Sequence, residues 1–224
     1  MKYSSSKEDY LKAIYHLQSQ DGVVSTNELA GELQTRAASV TDMLKKLKDQ
    51  KLLNYEPYKG FRLSSEGRRV AVQVVRKHRL WEYFLVEKLG FEWDEVHEIA
   101  EELEHVTSRK LIERLDEFLG YPKTDPHGDP IPDSSGRLER AQQINLSELP
   151  LHISAQVSGI GDQSSEMLEL LRHKNIRLGS SIEIKKKFSF DDSLEIKIKN
   201  AAAVTISGEV AKNIFVKYDK QDAQ

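Results

Sequence analysis

The chain has 224 residues, of which 38% are hydrophobic and 31% charged, with a formal net charge of -3, which suits a folded protein of one or more domains. It contains no cysteine, which excludes disulfides, zinc ribbons, iron–sulfur clusters and thiol nucleophiles. No apolar run approaches the roughly 20 residues of a membrane span, and the N-terminus lacks the apolar core of a signal peptide, so we expect a cytoplasmic protein with no membrane role.

The first part of the chain has the pattern of a winged helix–turn–helix. An apolar stripe over residues 10–17 predicts one helix, and Ser25 or Thr26 is placed to cap a second, short helix. Apolar residues at helical spacing predict a third helix from about Ala37 to Gln50. Two extended runs around Pro57 and Gly60 then predict a β-hairpin.

Polar and basic side chains cover the face of the third helix opposite its apolar stripe. Residues 1–80 carry 15 Lys and Arg against 9 Asp and Glu, a balance that suits a polyanion. Any small three-helix domain gives a similar pattern, so a head without a DNA role stays open. The residues expected to face DNA lie on the turn, the third helix and the wing: Thr35, Arg36, Ser39, Thr41, Lys45, Lys46, Tyr58, Lys59 and Arg62.

The middle of the chain, about residues 64–119, is predicted to be helical and strongly apolar. Two interpretations of its apolar residues are open: packing against the head, or a homodimer interface. They recur from Val70 to Val106: Val70, Val74, Leu80, Trp81, Phe84, Leu85, Leu89, Val96, Ile99, Leu103 and Val106.

Candidate metal ligands also fall in this middle part. Residues 81–130 carry 14 Asp and Glu against 5 Lys and Arg, and they include the pattern E-x-x-E-H formed by Glu101, Glu104 and His105. On a helix, residues three and four apart share a face, so these side chains can converge on a cation. His78 and Glu82 lie four apart on the preceding segment. The alternative is the solvated face of an acidic helix.

The last part of the chain fits an appended β domain. Residues 120–147 hold four of the six prolines, which predicts a long loop and linker. From Leu151 onward, several short alternating runs surround one predicted helix over 164–173. This pattern indicates a small barrel.

Five ordered motifs together resemble the diphtheria toxin repressor family of metal-dependent transcriptional repressors, and within it the manganese-responsive members. They are S-K-E-D-Y-L-K-A-I-Y, S-V-T-D-M-L-K-K-L, Y-K-G-F-R-L-S-S-E-G, R-K-H-R-L-W-E-Y-F-L and E-E-L-E-H-V. The resemblance implies a mainly α fold with a small β domain. We expect a winged helix–turn–helix over 1–63, a helical metal-binding and dimerisation domain over 64–140, and an SH3-like barrel over 148–219.

The resemblance also implies a primary metal site. Asp9, His78, Glu101, Glu104 and His105 match the positions that ligate the metal in the family. In the iron-responsive branch the positions of Asp9 and Glu101 hold methionine and cysteine, so oxygen donors at both favour Mn²⁺, with Fe²⁺ as the alternative.

Lys12 departs from the family pattern. The best-known binuclear manganese sensors have glutamate at this position, whereas this chain has a lysine. The departure places a two-metal cluster in doubt.

A second metal site is implied by the Pro-rich loop. There Asp125 and His127 match positions that join Glu82 and an acidic residue of the C-terminal domain, for which Asp162 is the best match. His97 occupies an ancillary position of the iron-responsive branch without its expected partners. The alternative for Asp125 and His127 is a plain turn.

These features predict a metal-activated transcriptional regulator that binds double-stranded operator DNA as a homodimer and controls metal-ion homeostasis. A metal-independent DNA-binding protein and a metal-dependent enzyme are the alternatives. The enzyme is disfavoured because the chain has neither an H-E-x-x-H motif nor a Gly-rich phosphate loop.

Overall fold

The structure is a computed structural model, and it describes residues 3–18, 22–56, 59–139, 142–199 and 201–218. The helices are α1 (Ser5–Leu17), α2 (Thr26–Glu32), α3 (Ala37–Asp49), α4 (Ser65–Leu89), α5 (Val96–Leu103), α6 (Arg109–Phe118), α7 (Ser165–His173) and α8 (Gly208–Lys212). The strands are β1 (Leu53–Glu56), β2 (Gly60–Leu63), β3 (Ile144–Asn145), β4 (Ser154–Ile160), β5 (Ser181–Lys187), β6 (Leu194–Ile198), β7 (Ala203–Ile206) and β8 (Ile214–Lys217). Among the described residues, no helix is long and apolar enough to cross a membrane.

The chain divides into two compact units, whereas the sequence predicts three domains. One unit comprises Met1–Trp81, Ala100–Tyr121 and Ile131–Leu138. The other comprises Glu82–Ile99, Pro122–Pro130 and Glu139–Gln224. The predicted helical middle is therefore shared between the two units.

The first unit begins with a three-helix head whose helices form where their caps and apolar stripes predict. The Ser25 hydroxyl accepts the Glu28 backbone N–H at 3.2 Å, and the Glu28 carboxylate accepts the Ser25 N–H at 2.8 Å, a capping box that begins α2. In α3, Val40, Leu44 and Leu47 are buried in the head core. Burial of each such side chain contributes about 1.5–3 kcal/mol, which orients the polar face of α3 outward.

A two-stranded hairpin follows α3, as predicted. β1 pairs antiparallel with β2 from Leu53 opposite Leu63 to Glu56 opposite Gly60. Phe61 also exchanges two backbone hydrogen bonds with Val24, at 2.9 and 3.0 Å. Gly60 has φ +140°, and a Cβ there would lie 2.4 Å from the Val24 carbonyl oxygen. Glycine is therefore required where the hairpin crosses the backbone before α2.

Five of the eleven apolar residues considered for a dimer interface are buried within the chain itself. Val70, Val74, Leu80, Leu85 and Val96 are at most 6% exposed. Packing inside the chain thus accounts for these side chains. Leu89, another of the eleven, is 56% exposed, and further large apolar residues are exposed on or next to α6: Leu111, Phe118 and Tyr121.

The second unit is built on a six-stranded antiparallel sheet. Its strand order is β3-β8-β4-β5-β6-β7. Burial alternates along β5 and β6, so Ile182, Ile184, Ile196 and Ile198 share a core with α7. The predicted helix and strands in this region are confirmed, whereas the short elements β3 and α8 were not predicted.

Candidate metal centres

The first candidate centre lies in the first unit, and its donors come from α1 and from the two residues that follow α5. One donor atom from each of Asp9, Glu104 and His105 lies within 4.8 Å of the others. Glu104 is 0% exposed. A buried carboxylate beside an imidazole and another carboxylate is a site that a cation can stabilise.

His78, on α4, contacts this cluster through Glu104. Its Nδ1 lies 2.6 Å from the Glu104 Oε2. Glu104 is thus the residue of the acidic segment that contacts α4. The structure brings His78 to one of the predicted ligands.

His105 is held from both sides of its ring. Its Nε2 lies 2.9 Å from the Asp9 Oδ1, and its Nδ1 lies 2.9 Å from the Glu8 Oε2. The Lys77 Nζ lies 3.4 Å from the same Glu8 oxygen. A carboxylate on one ring nitrogen orients the other nitrogen toward a metal. The sequence reasoning missed Glu8, although its position next to Asp9 was a signal.

Lys12 enters the centre from the same helix as Asp9. Its Nζ lies 2.7 Å from the Glu104 Oε1, 2.8 Å from the Oε2 and 3.4 Å from the Glu101 Oε1. The Glu101 side chain is 52% exposed. Within the part of the chain that the structure describes, Glu101 joins the cluster through Lys12 and does not belong to the three-residue donor group.

The last turn of α5 carries the E-x-x-E-H pattern. The helix is assigned as far as Leu103, and the Glu104 N–H still donates to the Ala100 carbonyl at 2.8 Å, as within a helix. The chain turns there, which buries Glu104 and leaves Glu101 exposed. Glu101 and Glu104 nevertheless lie close enough for the Lys12 ammonium to contact both, at 3.4 and 2.7 Å.

Burial and charge act in opposite directions on the carboxylates of the first centre. Burial raises the pKa of Asp9 above its usual value, and the neighbouring Glu104 adds to this while His105 opposes it. Burial also acts to raise the pKa of Glu104, but the hydrogen bond from His78 and the charge of Lys12 together lower it. Glu104 is therefore ionised in the folded chain, as a metal ligand must be.

The second candidate centre lies in the second unit and is more deeply buried. Donor atoms of Glu82, Asp125 and His127 lie within 4.8 Å of one another, and all three residues are at most 3% exposed. The His127 Nδ1 lies 3.7 Å from the Glu82 Oε2 and 3.9 Å from the Asp125 Oδ1. This nitrogen is buried without a hydrogen-bond partner. An unpaired buried nitrogen facing two carboxylates fits a cation between them.

The other ring nitrogen of His127 fixes the orientation of the imidazole. Its Nε2 lies 2.9 Å from the Trp93 carbonyl oxygen, to which it donates. In the neutral ring this places the lone pair on Nδ1, toward Glu82 and Asp125. Burial acts to lower the pKa of His127, but the two carboxylates together raise it to about 9. A cation held here would take the place of the Nδ1 proton.

The loop that carries His127 is tied to β4. The Asp125 Oδ1 accepts the backbone N–H groups of His127 and Asp129, at 2.8 and 3.0 Å. The Ile160 N–H donates to the His127 carbonyl at 2.9 Å. Gly128 has φ +91°, and a Cβ there would lie 2.3 Å from the Ser158 carbonyl oxygen. The turn that was the alternative to a metal site is therefore present, and the same turn brings Asp125 and His127 together.

Asp162 and His97 are more exposed than the buried donors of the second centre. Asp162 is exposed, and its Oδ1 accepts the Ser164 N–H at 2.9 Å. Among the described residues it is outside the donor group of Glu82, Asp125 and His127. The His97 Nδ1 lies 3.4 Å from the Glu82 Oε1, and its side chain is 50% exposed.

The residues predicted to face DNA lie on the outer surface of the head. Those on the turn and on α3 are all exposed: Thr35, Arg36, Ser39, Thr41, Lys45 and Lys46. The Thr41 hydroxyl donates to the Ala37 carbonyl at 2.9 Å. In the wing, Lys59 and Arg62 lie 3.8 and 3.1 Å from the Glu56 carboxylate. Pro57 and Tyr58 lie outside the described residues.

Three segments of the chain match known protein families. Residues 2–61 match the family described as iron dependent repressor, N-terminal DNA binding domain. Residues 64–133 match iron dependent repressor, metal binding and dimerisation domain, and residues 144–218 match the FeoA domain.

Two curated relatives carry names of transcriptional regulators. The iron-dependent repressor IdeR of Mycobacterium leprae (strain TN) is 34% identical over 152 residues, which cover 64% of this chain and 65% of the relative. The HTH-type transcriptional regulator MntR of Oceanobacillus iheyensis is 35% identical over 120 residues, covering 54% of this chain and 81% of the relative. The chain thus matches just under two thirds of the length of the mycobacterial repressor.

Solved structures resemble the chain over nearly its whole length. A manganese-dependent transcriptional repressor in complex with manganese has a TM-score of 0.84 and 36% identity, covering 95% of this chain and 100% of that one. ScaR with bound Cd²⁺ has a TM-score of 0.79 and 31% identity, covering 95% and 99%. These likenesses confirm the predicted resemblance and fold class. The chain belongs to the diphtheria toxin repressor family of metal-dependent transcriptional repressors.

Proposed function

We propose that this chain is a repressor that binds double-stranded operator DNA as a homodimer when it holds Mn²⁺, with Fe²⁺ as the alternative ion. The observation that carries the proposal is the convergence of Asp9, from the first helix of the head, with Glu104 and His105. One cation at that place would join the DNA-binding head to the helical segment beyond it. Metal occupancy would therefore affect the orientation of the head.

The donor types support Mn²⁺ or Fe²⁺. Asp9 and Glu104 offer carboxylate oxygens, and His105 offers an imidazole nitrogen, with Glu8 on its far side. Carboxylates suit hard divalent ions, imidazole suits Fe²⁺ as well, and the chain has no thiolate to favour softer ions. His78 and Glu101 complete the ligand set proposed for this centre. The bound ion supplies positive charge to carboxylates that otherwise repel one another.

The second centre is proposed to hold another divalent ion through Glu82, Asp125 and His127. The buried His127 Nδ1 without a hydrogen-bond partner supports this assignment. These three residues supply two carboxylates and one imidazole in an interior where uncompensated charge is costly. Asp162 as a fourth ligand stays a prediction, because its carboxylate faces solvent and caps the turn at Ser164.

Regulation follows from linkage between metal and DNA. If one orientation of the head fits DNA and the metal stabilises that orientation, each ligand tightens the binding of the other, typically by about 1–3 kcal/mol. Asp9, on α1, connects the metal to the same core that positions α3. The energetic connection therefore lies within one compact unit.

The DNA contact is proposed to come from α3 and the hairpin after it. Lys45 and Lys46 would neutralise phosphates, while Ser39 and Thr41 lie on the same exposed face for base edges or sugar–phosphate contacts. A two-fold dimer would place two α3 helices on the two half-sites of a pseudo-palindromic operator.

Fluorescence anisotropy tests this function directly. The full chain is titrated onto labelled DNA from its own upstream region at fixed salt, first in chelator and then with Mn²⁺, Fe²⁺ under anaerobic conditions, and Zn²⁺. We expect tight binding with Mn²⁺ or Fe²⁺ and weak binding in chelator. Equal affinity in chelator would indicate a metal-independent DNA-binding protein, and absence of binding under every condition would contradict the proposal.

A further inference from the structure

Lys12 occupies a position inside the first centre where a cation belongs. Its Nζ lies 2.7 and 2.8 Å from the two oxygens of Glu104, and its side chain is 14% exposed. It also lies 3.4 Å from the Glu101 Oε1. Since Glu104 is fully buried, the charge of this ammonium group offsets that of a carboxylate that water does not reach.

The charges of the centre balance with one divalent ion present. Asp9, Glu101 and Glu104 supply three negative charges, and Lys12 supplies one positive charge. The Glu8 carboxylate, which contacts His105, is also paired with Lys77 at 3.4 Å, so the charges of Glu8 and Lys77 offset each other. One divalent ion therefore brings the group to neutrality, whereas a second would leave an excess of two positive charges in a partly buried place. Such an excess is costly at low effective dielectric.

The positions of the Glu101 and Glu104 carboxylates also limit the number of metal ions at the first centre. Paired metal ions lie about 3.5–4 Å apart and need carboxylates that bind both. Glu104 and Glu101 are the two carboxylates that Lys12 contacts, and both Glu104 oxygens are within hydrogen-bond distance of its ammonium. The ammonium group thus lies against the carboxylate oxygens that a second ion would have to share with the first.

We infer that Lys12 is a fixed internal cation of the first centre and restricts that centre to a single divalent ion. The inference rests on the proposed function, because it assumes that Asp9, Glu104 and His105 hold a metal. It concerns a different property, the number of ions, and it can fail while metal binding itself is retained.

The test compares the full chain with Lys12→Glu, Lys12→Met and the control Lys45→Glu, which makes the same charge change on an exposed lysine of α3. The number of Mn²⁺ ions per chain is measured by titration calorimetry and by metal analysis after equilibrium dialysis. Electron paramagnetic resonance then distinguishes isolated Mn²⁺ from a spin-coupled pair. Asp9→Ala identifies the ion that belongs to the first centre.

We expect Lys12→Glu to bind one more Mn²⁺ than the parent chain and to show a spin-coupled pair that the parent and Lys45→Glu lack. Lys12→Met adds no donor oxygen, so it should bind the parent number of ions, with affinity at the first centre raised about tenfold or more because a repelling charge is gone. If Lys12→Glu does not fold, the affinity of Lys12→Met decides.

A spin-coupled pair in the parent chain, or a folded Lys12→Glu with no additional ion, would overturn the inference. Unchanged affinity in Lys12→Met would overturn it too. A different result would contradict the proposed function. That result is an Asp9→Ala variant that binds as many ions as the parent chain, with the same affinity.

Discussion

The Nε2 of His105 lies 2.9 Å from the Oδ1 of Asp9, although one residue follows α5 and the other belongs to α1. This contact joins the first helix of the head to the acidic segment. In the absence of metal it depends on a proton on the imidazole, and a divalent ion between the two groups would replace that proton. The head is therefore connected to the metal-binding segment by a contact that metal can strengthen.

Asp9→Ala should leave the fold intact but abolish the stimulation of DNA binding by metal, because it removes the only donor from α1 in the three-residue group of the described chain. Anisotropy with and without Mn²⁺ measures the effect. Glu102→Ala is the control, since it removes an exposed carboxylate between Glu101 and Glu104 that belongs to no donor group of the described residues. Full stimulation in Asp9→Ala would refute the ligand assignment.

Glu8→Gln should weaken Mn²⁺ binding at the first centre by about 10- to 100-fold, a typical loss when the partner of a ligating histidine is changed. The Glu8 carboxylate contacts the His105 Nδ1 at 2.9 Å, and an amide orients that ring less strongly. Competition against a fluorescent chelator measures the affinity. Glu66→Gln, which alters an exposed ion pair with Arg69, is the control, and equal affinities in both variants would show that Glu8 does not position the ligand.

Gly128→Ala should reduce both stability and Mn²⁺ affinity at the second centre. The new Cβ would meet the Ser158 carbonyl oxygen at 2.3 Å, in a backbone conformation of φ +91°. Gly120→Ala is the matched control, because Gly120 also has a positive φ, +76°, but its Cβ would meet nothing within 4 Å. The control should lose only about 1 kcal/mol of stability and no metal affinity. Calorimetric Mn²⁺ titration and thermal unfolding compare the two, and the same change in affinity in both would exclude a role for the loop.

Ser25→Ala should destabilise the chain by about 1 kcal/mol, since the capping box that begins α2 loses its hydroxyl acceptor. Ser4 also occupies an N-cap position, at α1, but its side chain makes no capping hydrogen bond. Ser4→Ala should therefore be close to neutral in denaturant unfolding. A loss at Ser4 as large as that at Ser25 would contradict the role given to the hydroxyl.

Lys45→Ala and Lys46→Ala should each weaken binding to every DNA sequence and lower the slope of log affinity against log salt by about 1. Both side chains are exposed on α3. The measurement is anisotropy over a series of salt concentrations. Lys197→Ala, an exposed lysine on β6, should leave the slope unchanged, and unchanged slopes in the α3 variants would exclude phosphate contacts.

Local patterns predicted the elements well. The i, i+3, i+4, i+7 spacing of Val40, Met43, Leu44 and Leu47 fixed the inward face of α3, and Ser25 marked the start of α2. These properties depend on neighbours within one or two turns. The strands of the sheet followed from alternation for the same reason.

Contacts between distant segments could not be predicted in this way. The sequence gives no sign that Lys12 reaches Glu104 or that Glu8 holds His105, because both contacts form only when α1 packs against the end of α5. The spacing of E-x-x-E-H predicted a shared helical face, but not that Glu104 would be buried and Glu101 exposed. Which carboxylate is buried depends on the packing around it as much as on local sequence.

The double hydrogen bond between Val24 and Phe61 makes the hairpin a continuation of the head instead of an independent arm. A loop that becomes ordered on binding loses conformational entropy, and that loss subtracts from affinity. Here the strands of the wing are already paired with each other and with the segment before α2. If the head binds DNA as proposed, α3 and the paired strands of the hairpin would meet it already ordered, and the rate of DNA capture should depend on electrostatic steering more than on rearrangement.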